Sequence, residues 1–240
     1  MKYVVLDIET TGFSPQKQEI TEVSILRCED LVQCTWDVLI KHPENADPGA
    51  LEVTKTSIEE LMSRGRHIED ITDEIDDFIK EVSSDPDEIV CIGHYVRFDR
   101  SFLEHNWELS NKIWKANYWL DTYEMSKKYV KNIAKIEEKT SCSLTNMLKL
   151  ASIRELPGAH SSTVDVQNTY KLYMHMLKRG MTNSEYIKLS PTLLTGITKT
   201  AKPTKTRKTK KKELDFNELS NIADSLAEDL SQEGNFEDLD

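Results

Sequence analysis

Short apolar segments bounded by turn-forming residues open the chain and predict β-strands over residues 3–8, 19–27 and 32–40. Because few residues separate these segments, we expect an antiparallel meander. Strand and helix patterns alternate further along the chain. Strands are predicted at 88–92 and 118–120, and helices at 68–82, 122–129, 143–151 and 162–178, with others beginning at Ser57 and near residue 98. This order predicts an α/β fold in which a mixed sheet is flanked by helices.

Charge and composition change sharply near the C-terminus and divide the chain into three parts. Residues 1–180 carry the regular patterns and predict one domain. Residues 181–212 form a predicted linker that from residue 199 holds eight basic and no acidic side chains, a composition that predicts disorder. The low-complexity tail, 213–240, holds ten acidic and no basic side chains. A stripe of apolar residues predicts an amphipathic helix in this tail: Phe216, Leu219, Ile222, Ala223, Leu226 and Leu230.

Composition narrows the class of protein. The 240 residues are 38% hydrophobic and 30% charged, and 31 basic against 42 acidic residues give a net charge of −11. This balance argues against binding nucleic acid through bulk charge alone. We find no apolar run of membrane-spanning length, no export signal at the start and no cysteine spacing typical of zinc sites. These features predict a cytoplasmic protein with reduced thiols and no membrane contact.

Two carboxylates lie at the end of the first predicted strand. Asp7 and Glu9 are two residues apart, so they point from the same face of the sheet. Neighbouring like charges are unfavourable unless a proton or cation lies between them, and a hard cation such as Mg²⁺ or Mn²⁺ prefers such oxygens. A pair of solvated acids at a strand end is the alternative.

Two later segments carry the other candidate groups. Asp99 follows a strand and a glycine turn at the start of a helix, and Asp165 follows His160 at the start of the last long helix. An acid in a first helical turn is also favoured by the helix dipole alone. Taken singly, each segment therefore has a structural explanation.

Together, D-x-E on the first strand, F-D-x-x-F-L after a later strand and H-x-x-x-x-D before the last long helix resemble the DEDDh exonucleases over roughly residues 1–178. The resemblance implies a ribonuclease-H-like core with a five-stranded mixed sheet and helices on both sides. Related sequences often have asparagine where this chain has Tyr95. That change leaves the ligand set intact and affects only finer contacts.

The resemblance also implies roles for the five groups. Asp7, Glu9, Asp99 and Asp165 would hold two divalent ions, Mg²⁺ or Mn²⁺, with Asp7 bridging them. His160 would be the general base that takes a proton from the attacking water.

Further residues are candidates for contact with the substrate. Thr10, Thr11, Gly12 and Phe13 follow the first acids, where family members seat the terminal nucleotide; a simple turn is the alternative. The aromatic side chains Tyr95, Phe98 and Phe102 are candidates for stacking on bases. The helical spacing of the two phenylalanines favours a place in the core as well.

The function implied is a metal-dependent 3′-to-5′ exonuclease that acts on single-stranded or frayed DNA ends, in proofreading or repair, and releases nucleoside 5′-monophosphates. An exoribonuclease acting on RNA ends or short oligoribonucleotides uses the same motifs. A non-catalytic nucleic-acid-binding scaffold is disfavoured because all five groups are present. The tail at 213–240 is predicted to dock on a polymerase or another replication protein, to fold back on the domain, or to stay disordered.

Overall fold

A six-stranded mixed sheet forms the centre of the computed structural model, which describes residues 1–55, 57–136, 140–158 and 160–190. The predicted basic run from 199 and the acidic tail lie outside the described residues. The strand order is β3-β2-β1-β4-β5-β6. The strands are β1 (Lys2–Thr10), β2 (Ile20–Arg27), β3 (Gln33–Asp37), β4 (Ile89–Gly93), β5 (Tyr118–Asp121) and β6 (Ile187–Leu189).

The strand directions follow from the connections. Residues 11–19 join β1 to β2 and residues 28–32 join β2 to β3, and both strand pairs are antiparallel, which confirms the predicted meander. Strands β4 and β5 run parallel to β1 because helices connect them. The predicted α/β fold with a mixed sheet is therefore confirmed.

Seven α-helices accompany the sheet in the described part of the chain. They are α1 (Pro48–Thr54), α2 (Ile58–Arg64), α3 (Ile68–Lys80), α4 (Arg97–Leu109), α5 (Thr122–Asn132), α6 (Leu144–Leu150) and α7 (Ser162–Lys178). Helices α5, α6 and α7 bury their apolar residues against one face of the sheet, and α3 and α4 cover the other face. None of the helices in the described ranges is long and apolar enough to cross a membrane.

Strand β1 supplies side chains to both layers of the core. Tyr3 and Val5 pack in the layer of α5, α6 and α7, whereas Val4 and Leu6 pack in the layer of α3 and α4. Each fully buried aliphatic side chain contributes about 1.5–3 kcal/mol through burial. The same alternation places Asp7 on the face that α7 covers.

The domain extends past the predicted limit at residue 180, and the sheet has one strand more than the five expected. Strand β6 pairs antiparallel with β5 at the edge of the sheet. Asn183 ties this segment to the core, since it accepts a hydrogen bond from the Tyr173 hydroxyl at 2.9 Å and donates one to the Tyr3 hydroxyl at 3.1 Å. A three-residue edge strand is too short to produce a visible alternation in the sequence.

Candidate active site

Three carboxylates meet where the carboxyl end of β1 faces the start of α7. Asp7 and Glu9 come from β1, and Asp165 comes from the first turn of α7. One oxygen from each lies within 4.8 Å of the others. This oxygen-only donor set, built from rigid elements, fits a hard divalent cation.

Glu22 fixes the start of α7 to the sheet. It lies opposite Glu9 on β2, and its Oε1 accepts hydrogen bonds from the Ser162 hydroxyl at 2.6 Å and the Thr163 backbone at 3.4 Å. Ser162 also donates to the Ser24 hydroxyl at 2.7 Å. Sequence reasoning missed Glu22; its only signal was an acid on the strand expected to pair with β1.

Asp99 reaches the same region from the opposite layer. Its side chain is buried in the first turn of α4, and its Oδ1 accepts a hydrogen bond from the Ile8 backbone at 3.2 Å. It is not one of the three carboxylates within 4.8 Å, although its charge raises the pKa of Asp7. Asp99 is thus hydrogen-bonded to β1 at Ile8, the residue between Asp7 and Glu9.

Burial and mutual repulsion make these acids weak when no cation is present. Burial is the largest cause of the raised pKa of Asp7, followed by the charges of Asp99, Glu9 and Asp165. Burial and the charges of Asp165, Glu22 and Asp99 raise the pKa of Glu9 to about 8. Burial raises the pKa of Asp99 to about 7 and also raises that of Asp165. A cation would relieve the repulsion that otherwise retains protons.

His160 lies at the exposed rim of the cluster. Its backbone is left-handed, with φ of 69°, and its N–H donates to Asp165 Oδ2 at 3.3 Å. A cleft of about 110 Å³ is lined by His160 together with Glu9, Glu22 and Ser161. His160 and Glu9, one of the clustered carboxylates, therefore line the same cleft.

The turn after β1 uses its polar side chains internally. The Thr10 hydroxyl donates to the Gly12 carbonyl at 2.6 Å, and the Thr11 hydroxyl accepts from the Glu19 backbone at 2.9 Å. Both threonine side chains are buried. Thr10 and Thr11 thus stabilise the turn, which was the alternative to substrate contact.

The aromatic candidates differ in accessibility. Phe13 is 78% exposed and meets Phe98 edge-on, with ring centroids 6.4 Å apart. Phe98 is half-buried and packs on Phe102 at 5.0 Å. Phe102 is completely buried, so its expected contact with substrate is wrong: the helical spacing places it in the core.

Tyr95 occupies the tight turn between β4 and α4. Its φ is 65°, it is 45% exposed, and its N–H donates to Asp121 Oδ1 at 2.8 Å. The adjacent His94 is held between the Thr122 hydroxyl and the Cys142 carbonyl, and burial lowers its pKa to about 4. His94 is therefore a neutral structural group, whereas the exposed part of Tyr95 is accessible to a ligand.

The fold and site define a ribonuclease-H-like α/β domain with a carboxylate cluster at the end of its first strand. The chain belongs to the exonuclease family: the family model RNase_T, described as an exonuclease, matches residues 4–173. The predicted resemblance is confirmed.

Several relatives are DNA polymerases of the PolC type. The chain is 26% identical over 195 residues to "DNA polymerase III PolC-type" of Thermotoga maritima, an alignment that covers 80% of this chain and 13% of the relative. It is 30% identical over 130 residues to the PolC-type enzyme of Lacticaseibacillus paracasei, covering 52% of this chain and 8% of that protein. The chain thus spans a small fraction of these relatives.

Solved structures share the fold. Escherichia coli exonuclease I in complex with a dA16 oligonucleotide superposes with a TM-score of 0.60 and 17% identity, covering 74% of this chain and 40% of that one. The zinc-bound form of an exonuclease I complex with single-stranded DNA gives a TM-score of 0.62 at 17% identity, covering 75% and 41%.

Proposed function

We propose that this chain is a metal-dependent 3′-to-5′ exonuclease that hydrolyses the terminal phosphodiester bond of single-stranded or frayed DNA and releases nucleoside 5′-monophosphates. The observation that carries this proposal is the convergence of Asp7, Glu9 and Asp165 within 4.8 Å, with His160 at the rim. Widely separated segments build this arrangement on a fold whose family is exonucleolytic.

Each group has a defined task in the proposed reaction. Asp7, Glu9 and Asp165 would hold the divalent ions, Mg²⁺ or Mn²⁺, and Asp99 would complete the ligand set. When bound, the ions supply an acidified water and a counter-charge for the leaving oxygen. His160 would accept the proton of the attacking water at its imidazole nitrogen, a role suited to an exposed side chain beside the cluster.

The proposal that DNA is the substrate rests on exposed aromatic side chains and on the similarity to other proteins. Phe13 and Tyr95 present rings to solvent beside the site, where stacking on the terminal bases would hold the strand end. The PolC-type relatives are DNA polymerases, and the exonuclease I structures hold DNA oligonucleotides, which supports DNA as substrate and a part in proofreading or repair. Docking of residues 213–240 on a polymerase or another replication protein stays a prediction.

The test is a comparison of 5′-labelled single-stranded DNA, duplex DNA and RNA, each incubated with Mg²⁺, Mn²⁺ or EDTA. We expect stepwise shortening of DNA from its 3′ end with either metal and none in EDTA. Asp165→Asn or Asp7→Ala should lower the rate by about 10³-fold or more, since several kcal/mol of transition-state stabilisation are lost.

Asp77→Asn is the matched control, because Asp77 is an exposed residue on α3, across the sheet from the cluster. Its rate should equal that of the wild type. Preferential shortening of RNA would replace the DNA assignment with an exoribonuclease. Metal-independent activity, or activity undiminished in Asp165→Asn, would contradict the proposed site.

A further inference from the structure

A groove with surplus positive charge runs between α5 and the edge strand β6. We name it the lysine groove; its volume is about 480 Å³. Its lining consists of Glu124, Lys127, Lys128, Lys131, Asn132, Glu185, Tyr186 and Lys188. Four lysines against two glutamates stand out on a chain whose net charge is −11.

The two glutamates neutralise only half of these lysines. Lys127 pairs with Glu124 at 2.7 Å, and Lys128 pairs with Glu185. Among the described residues, no carboxylate lies within salt-bridge distance of Lys131 or of Lys188. Both are exposed. Binding of an anion among clustered lysines is favourable because it offsets their mutual repulsion.

A line of rings and cations leads from the lysine groove toward the carboxylates. Lys127 Nζ lies 4.5 Å from the centroid of the Tyr123 ring, and that ring meets Tyr95 edge-on at 5.4 Å. The Arg97 guanidinium lies 5.7 Å from the centroid of Tyr95. Asp99 follows Arg97 by two residues in the first turn of α4. The side-chain contacts thus extend from the lysine groove to Arg97, in the same helical turn as Asp99.

We propose that the lysine groove binds the phosphate backbone of the single strand whose 3′ end occupies the carboxylate site, with Tyr123 and Tyr95 stacking on the intervening bases. This inference rests on the proposed function. From Tyr123 to Lys131 the helix rises about 12 Å, enough for three to four stacked nucleotides at about 3.4 Å each.

A polyanion that approaches the proposed reaction centre meets the negative charge of the carboxylate cluster. Cationic groups along the approach offset that repulsion, and stacking rings give affinity independent of base sequence. An acidic protein segment would also be attracted electrostatically to these lysines. The rings between the lysines and the site favour a nucleic-acid strand, since bases stack on them.

Binding without hydrolysis tests the proposal directly. Fluorescence anisotropy in EDTA would follow a labelled single strand of about 12 nucleotides, long enough to span the site and the groove. Lys131→Glu/Lys188→Glu should weaken binding by about tenfold or more. Because each lost phosphate contact removes roughly 0.7 from the slope of log K against log salt, the slope should fall by about 1.4.

The matched control is Lys2→Glu/Lys80→Glu, which makes the same change in net charge. Lys2 lies at the opposite end of β1 from Glu9, and Lys80 lies on α3, on the other face of the sheet. This control should bind within about twofold of the wild type, since long-range charge is screened. Lys131→Gln/Lys188→Gln provides a milder variant, expected to weaken binding in the same direction.

Kinetics separate the groove from the reaction centre. A dinucleotide is too short to reach the groove, so kcat/KM for it should be unchanged in Lys131→Glu/Lys188→Glu. The KM for the longer strand should rise by about tenfold with kcat unchanged, as expected for loss of uniform binding.

The outcomes distinguish the two proposals. Equal binding and equal KM in the groove variant and its charge-matched control would overturn the groove assignment and leave the exonuclease proposal standing. A wild type that binds the strand through Lys131 and Lys188 without hydrolysing it would overturn the exonuclease proposal alone.

Discussion

His160, like Tyr95, is exposed and held in a left-handed backbone conformation. The hydrogen bond from its N–H to Asp165 Oδ2, at 3.3 Å, offsets part of the strain of a φ of 69°. Backbone placement by a carboxylate of the cluster keeps the imidazole beside the site without burying it.

At this scale we predict that His160→Ala lowers turnover by about 10²–10⁴-fold, because the attacking water loses its general base. The backbone hydrogen bond to Asp165 does not depend on the side chain, so metal affinity should change little. Steady-state kinetics with Mg²⁺ titrations measure both quantities.

His67→Ala is the control, because His67 is exposed at the start of α3 on the other face of the sheet. It should keep full activity. A His160→Ala enzyme that retains more than about a tenth of the wild-type turnover would exclude a general-base role.

Sequence reasoning located part of this site for a clear physical reason. The period of two in a strand was enough to place Asp7 and Glu9 on one face, and the structure brings them within 4.8 Å of Asp165. The sequence did not identify Glu22 as a site residue, because a single acid on a strand is typical of any half-exposed sheet. Its hydrogen bonds to the start of α7 depend on how two distant elements meet.

At the scale of elements, α7 and the segment that follows it set the C-terminal limit of the folded domain. Helix α7 packs on β1 and β2 and supplies Asp165, and the chain then returns to the sheet edge as β6. Tyr186 and Ile187 pack against the core on that side. Residues 181–190 therefore belong to the folded unit.

We predict that truncation after residue 180 destabilises the domain by roughly 2–4 kcal/mol, since the β5–β6 hydrogen bonds and the burial of Ile187 are lost. A chain that ends at residue 190 keeps these contacts and is the reference for the comparison. Urea denaturation followed by circular dichroism compares the two chains. Identical midpoints for the chains ending at 180 and 190 would show that β6 contributes nothing.

The sequence predicted long elements better than short ones. Helices α3 and α7 repeat their apolar residues over several turns, and both were expected near their observed positions. Strand β6 has three residues and sits between Gly180 and Pro191, where composition favours a linker. Its pairing comes from the free edge of β5, which no local pattern reveals.

Across the whole molecule, proton binding by the carboxylate cluster is coupled to stability. In the unfolded chain these acids ionise near pH 4, whereas in the folded, metal-free chain the pKa of Glu9 is about 8 and that of Asp99 about 7. The folded state therefore holds extra protons within this range. Stability from these groups is present at low pH and is lost as the pH rises through 7 to 8.

His94 acts in the opposite direction at lower pH. Its pKa of about 4 in the folded chain lies below the ordinary value of 6.5, so its contribution is present above 6.5 and lost as the pH falls toward 4. Above about pH 6.5 the free energy of unfolding therefore changes with pH through the carboxylates and not through His94.

We predict that in EDTA the Tm falls between about pH 6.5 and 8, and that Mg²⁺ or Mn²⁺ raises it most at the upper end. Metal binding replaces the protons that the folded cluster would otherwise retain. Differential scanning fluorimetry across this range measures both effects, and Asp7→Asn should flatten both profiles. A Tm that is constant in EDTA and unaffected by metal at pH 8 would contradict this coupling.

The distribution of aromatic residues between the two layers gives the domain two separate optical signals. All four tryptophans are buried in the layer of α3 and α4: Trp36, Trp107, Trp114 and Trp119. The opposite layer, under α7, is built with tyrosines instead. Indole emission therefore follows the half of the core remote from α7, and detachment of α7 can be told apart from global unfolding in a single spectroscopic titration.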